Sequence, residues 1–244
     1  MTRGRVAVSA ALVLVLAAAV AWAVFISLEA EPDAVAVAER VGRECPDPCA
    51  FAFGEPESRV GLILYQGAGV EPAAYAPLAA DVADAGFLVT IQQAPLGLPI
   101  LDSDMAQATI DAFDDVEIWV IGGHSLGGAM AARFAAESDE VDGLLLLGAY
   151  PEGALDLSES GLAVMSIYGD RDLLSTPDDV LSARSRLPAD SEFVLIEGGN
   201  HAQFGRYGRQ PRDGEASITP DAQLRVVTAA IMRLLGGLAG SRDG

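Results

Sequence analysis

The chain has 244 residues, 51% of them hydrophobic, and a formal net charge of −20 at pH 7. That length fits one ordinary domain plus an appendage. A surface so acidic, with arginine but no lysine, repels phosphate backbones and anionic headgroups, which argues against a nucleic-acid partner.

The appendage comes first. Residues 6–28 contain no charge, Pro or Gly, and at about 1.5 Å per helical residue they are long enough to span hydrocarbon. Arg3 and Arg5 precede the run, and Glu29, Glu31 and Asp33 follow it. The positive-inside bias then predicts a single-pass anchor over 1–28, with the remainder extracytoplasmic in the cell membrane. The competing reading is a cleaved signal peptide and a secreted product. Ala21-Trp22-Ala23 offers a small-x-small site, although apolar residues continue past it to Leu28. With no charge and no Gly-x-x-x-Gly in the run, anchoring accounts for it without a partner helix.

Residues 29–59 read as an acidic leader. The stretch 29–49 is Ala-rich and punctuated by Pro, which suits a tether or a loosely docked segment. Its two cysteines, Cys45 and Cys49, are the chain's only ones. Outside a membrane they can pair as a local disulfide, free thiols being the alternative. No further Cys or His lies near them, so no metal is expected there. Phe51-Ala52-Phe53 reads as a first edge strand.

From residue 60 to 244 strands and helices alternate. Strands are expected at 60–65, 87–91, 117–121, 144–147, 162–168 and 192–196, the apolar runs being short and bounded by turn residues. Helices are expected at 75–85, at 103–113 with Ser103 as cap, at 126–137 and at 222–235. Another should start at Thr176-Pro177-Asp178-Asp179, where a cap precedes Pro and first-turn acids. Such alternation predicts parallel crossovers, hence a three-layer α/β/α domain whose sites gather at the carboxyl ends of the strands.

The most telling residues are Gly122-Gly123-His124-Ser125-Leu126-Gly127-Gly128. They contain G-x-S-x-G between an apolar run and an Ala-rich stretch, the strand–turn–helix setting of a nucleophile elbow. A serine hydroxyl needs a base within hydrogen-bond reach, and the chain has two histidines. His124 sits on the elbow itself, so its side chain should point into packing. His201 lies past the last strand in a flexible Gly-rich loop able to swing over the serine, so it is taken as the base. Asp170 and Asp172 both follow the strand ending at Tyr168, and either could supply the acid.

With these motifs in place, the stretch from Val60 to Gly237 resembles the small α/β-hydrolases, in particular the dienelactone-hydrolase-like branch. The resemblance rests on Gly123-His124-Ser125-Leu126-Gly127, Tyr168-Gly169-Asp170-Arg171-Asp172 and Gly198-Gly199-Asn200-His201. It implies a mostly parallel twisted sheet whose triad members follow in the chain order Ser, Asp, His, with no cap domain, since the segment from Leu147 to Leu162 is too short for one. It also implies that Asp172, the fourth position of G-x-x-D, is the acid, while Asp170 serves the turn.

The oxyanion donors should be the backbone N–H groups of Leu126 and, by resemblance, Ala68. Relatives often carry His-Gly where this chain has Gln66-Gly67. Gln66, Phe204 and Tyr207 are candidate pocket walls, although aromatics on such loops also simply pack the loop down. The reading is a membrane-anchored serine hydrolase of ester-like, small-molecule or lipid-like acyl substrates, working through an acyl-enzyme without metal or organic cofactor. Amide cleavage and acyl transfer use the same machinery, and an inactive binding module keeps the same scaffold.

Overall fold

The computed structural model describes residues 27–242. The expected membrane span, apart from its last two residues, lies outside them. The described part is built on a seven-stranded sheet of order β1-β3-β2-β4-β5-β6-β7. Its strands are β1 (Cys49–Phe53), β2 (Val60–Tyr65), β3 (Leu88–Gln92), β4 (Ile118–His124), β5 (Gly143–Leu147), β6 (Ala163–Gly169) and β7 (Glu192–Ile196). All pair in parallel except β1, which runs antiparallel to β3 at the edge.

The helices are α1 (Pro32–Val41), α2 (Ala76–Ala83), α3 (Ala106–Ile110), α4 (Leu126–Glu137), α5 (Pro177–Ser182) and α6 (Pro220–Arg242). Every residue of β2, β4 and β5 is buried, as a sheet covered on both faces requires. Alternation then sorts the side chains. Leu62, Leu64, Leu145 and Leu147 pack with α1, α2 and α6, while Ile63, Ile121, Leu144 and Leu146 pack with α3 and α4. The fold is thus the three-layer α/β-hydrolase arrangement that the alternating elements predict.

Three segments differ from expectation. The leader is not a loose tether across its length: residues 32–41 form α1, with Pro at its first turn and Ala34 and Ala38 buried against the body. The i, i+4 alanines make a face small enough for a close approach. Helix α3 is shorter than 103–113, and Ser103 does not cap it. The Tyr65 hydroxyl donates to the Ser103 carbonyl at 2.8 Å and accepts the Ala106 N–H at 2.8 Å, so a distant side chain does the cap's work. Helix α6 runs beyond 235 to Arg242. It is long and apolar enough to cross a membrane by length and composition, but Val227, Ala230, Ile231 and Leu235 bury one face of it in the core.

At the other end of the described chain, Leu28 bridges in parallel to Val70, donating its N–H to the Gly69 carbonyl at 2.7 Å. Cys45 and Cys49 are joined as a disulfide. Closing so short a loop removes little chain entropy, so Cys45→Ser/Cys49→Ser should lower stability by about 2 kcal/mol at most, read as a shift in the urea midpoint at constant m-value.

Candidate active site

Strand β4 delivers Ser125 to the carboxyl edge of the sheet, and α4 begins at the next residue. The turn between them forces Ser125 to φ 55°, ψ −125°, a strained conformation for a residue with a Cβ. The surroundings over-determine it: the Ser125 N–H donates to the Leu147 carbonyl at 3.0 Å, and its carbonyl accepts from Gly128 and Ala129. A Cβ on Gly123 would stand 2.5 Å from the Gly127 carbonyl carbon and 2.6 Å from the Gly128 nitrogen, so the turn closes only with glycine there.

Asp172 and His201 are brought together from the loops after β6 and β7. Both are fully buried, and Asp172 Oδ2 lies 2.7 Å from His201 Nδ1. The other carboxylate oxygen accepts the N–H groups of Leu174 at 2.8 Å and Ser175 at 2.7 Å. A carboxylate at Nδ1 can only accept, which assigns the proton to Nδ1 and leaves Nε2 with a lone pair. Nε2 has no hydrogen-bond partner among the described residues, so the hydroxyl of Ser125 does not hydrogen-bond to it. A Cβ on Gly148, next to the residue that holds the Ser125 amide, would sit 3.0 Å from Asp172 Oδ2 and 3.1 Å from His201 Nδ1. Asp170, expected to serve its own turn, instead ties the loop after β6 to the loop after β7 by accepting the Gly198 N–H at 2.6 Å.

The loop carrying His201 is not free to swing. Asp213 accepts the His201 N–H at 3.4 Å and the Ala202 N–H at 2.8 Å. Gln223 of α6 accepts the Asn200 N–H and donates to the Asn200 carbonyl at 2.9 Å. Sequence reasoning missed both clamps. The Asp213-Gly214 dipeptide signals a turn, but nothing in it tells which distant amides the carboxylate will meet.

His124 points inward, as its place on the elbow predicts. Its ring lies 4.5 Å from that of His201 and within 6.2 Å of those of Tyr75, Phe204 and Tyr207. Burial, followed by the neighbouring His201, holds its imidazole well below the usual histidine range, so the ring is neutral. A cation there would oppose one on His201 by about 4 kcal/mol at an effective dielectric of about 20.

The turn after β2 faces the elbow. Among the described residues the amides of Ala68 and Leu126 meet no acceptor, leaving both free to donate. Gln66 is buried, accepts the Ala94 N–H at 3.4 Å, and borders a cleft of about 620 Å³ shared with Gly69, Leu96, Gly97 and Phe51. Phe204 and Tyr207 do not line that cleft. They are 4% and 6% exposed and pack around His124, because the 3-10 turn of residues 202–204 tucks them under the elbow.

Two substitutions test this geometry. Gly123→Ala forces backbone against backbone and should cost about 3 kcal/mol, the upper end for overpacking, measured by urea unfolding. The second uses the depressed imidazole of His124. Below about pH 6.5 the unfolded ring binds a proton that the folded ring refuses, so stability falls on acidification by about 1.4 kcal/mol per pH unit. Above that pH the contribution is flat. His124→Asn should therefore show a shallower loss between pH 6.5 and 5.5 than the parent, in paired denaturant titrations.

Comparisons with known proteins agree with this architecture. Among solved structures, a predicted CIB-like hydrolase from Thermoplasma acidophilum superposes with a TM-score of 0.58 at 18% identity, covering 74% of this chain and 91% of its own. TT1662 from Thermus thermophilus gives 0.55 at 16% identity, covering 76% and 92%. At such identities the likeness concerns the fold alone. No curated protein matches. The model of the alpha/beta hydrolase family matches residues 61–225, two thirds of the sequence and every element that builds the elbow, and the chain belongs to that family.

Proposed function

We propose that the protein is a serine hydrolase that cleaves ester-like acyl bonds through Ser125, His201 and Asp172. The observation that carries this reading is the buried Asp172–His201 pair, on loops at the same carboxyl edge of the sheet as a serine held in a strained elbow. An imidazole whose Nδ1 proton is held by a carboxylate is a base at Nε2, the role a serine nucleophile demands. The Ser125 hydroxyl gives its proton to Nε2 as its oxygen attacks the acyl carbon. The tetrahedral oxyanion is then met by the N–H groups of Leu126 and Ala68. Collapse expels the leaving group with the proton from His201, and water, activated by the same nitrogen, releases the acyl group. Reaction then requires Nε2 and the Ser125 hydroxyl to come within hydrogen-bond reach, and hydrogen bonds of this kind often tighten only in the substrate complex.

The extracytoplasmic, membrane-anchored setting belongs to the same proposal. It is supported by the charge-free run of residues 6–28 and by the Cys45–Cys49 disulfide, a bond that persists in oxidising compartments. The cleft beside Gln66 and Gly69 is lined by none of Ser125, Asp172 and His201, and it adjoins the proposed chemistry only through the turn that carries Ala68.

A fluorophosphonate probe should label the full-length protein covalently at Ser125, with labelling and p-nitrophenyl ester hydrolysis abolished by Ser125→Ala and reduced by about 10³-fold or more in His201→Ala. Folded protein that neither labels nor turns over ester, thioester or amide would overturn the assignment.

A further inference from the structure

Tyr75 and His124 are buried polar groups that the proposed chemistry does not use. The Tyr75 hydroxyl accepts the Gly67 N–H at 2.9 Å and lies 2.9 Å from His124 Nδ1. Both side chains are essentially inaccessible, at 0% and 1% exposure. A phenol has one proton. With Gly67 donating to the oxygen, and no other acceptor meeting the hydroxyl among the described residues, that proton goes to Nδ1 of His124. His124 is then the neutral tautomer protonated at Nε2, and that N–H meets no acceptor within hydrogen-bond distance among the described residues; the reverse tautomer would instead leave both the phenol proton and the Nε2 lone pair unanswered.

Each end of this chain of bonds touches a different part of the proposed machinery. Gly67 immediately precedes Ala68, whose amide is the candidate oxyanion donor. A Cβ on Gly67 would lie 2.9 Å from His124 Nδ1, so the loop rests directly on the ring. The other face of that ring carries His201, 4.5 Å away and tilted by 46°. The remaining rings around it, Phe204 and Tyr207, bring no charge, and Asp172 reaches it only through His201.

We propose that Tyr75 is a positioning residue. Its hydroxyl, accepting from Gly67 and donating to His124, holds the oxyanion loop and the ring beneath the base in one register. This rests on the triad reading, but its signature can be measured separately.

The full-length chain has only two histidines, so imidazole 15N labelling gives two resolvable rings. His124 should report the neutral form protonated at Nε2, whether or not the protein hydrolyses anything. Finding the proton on Nδ1 would overturn the proposal. Tyr75→Phe keeps the ring and removes the bonds; kcat for p-nitrophenyl acetate should fall about 10- to 100-fold with KM within about 2-fold. An unchanged kcat would overturn it too. If Tyr75→Phe does not fold, the imidazole tautomer of the parent protein decides alone. A parent protein that fails to label with fluorophosphonate, yet shows the stated tautomer, would count against the triad and not against the strut.

Discussion

The contact between Asp172 and His201 is the constraint around which the carboxyl edge of the sheet is arranged. A carboxylate and an imidazole with no access to water are tolerable only if each polar atom is answered. The structure answers three of the four: two backbone amides on one carboxylate oxygen, the imidazole proton on the other, and Nε2 left open. An unanswered nitrogen in a buried site is destabilising. Such an unanswered atom, on the same edge of the sheet as a strained serine, is what motivates the proposed triad.

Holding that contact engages elements far apart in sequence. The loop after β7 is tied to Asp213 and to Gln223 at the start of α6, and the loop after β6 is tied to Gly198 through Asp170. His201 is therefore placed by hydrogen bonds to its ring and to its own and the next residue's amide, not by a loop that folds over on demand. In the proposed chemistry, a ring held in this way would lower the reorganisation needed when charge develops.

Much of the site is legible in the sequence because it is written locally. The elbow depends on glycines two positions either side of Ser125, and α5 on the Thr176 cap and Asp179, which form a capping box. Helix α4 and strand β7 begin and end where periodicity places them. What local patterns miss is settled by partners from elsewhere. The extent of α3 depends on the Tyr65 hydroxyl from β2. The fate of Phe204 and Tyr207 depends on space beneath His124, and the roles of Asp213 and Gln223 on amides 11 to 23 residues away. Helix α1 is the converse case: Pro32, Asp33 and the spaced alanines carry a helix signal that an acidic, Ala-rich composition hides.

The backbone bridge between Leu28 and Val70 has a mechanical corollary. A leader hydrogen-bonded to the turn that carries Ala68 gives the domain almost no slack on that side. Tension applied through residues ahead of Leu28 would be delivered to the donor loop before reaching any other part of the fold. Two backbone bonds, Leu28 to Gly69 and Glu71 back to Leu28, are the first links on that path.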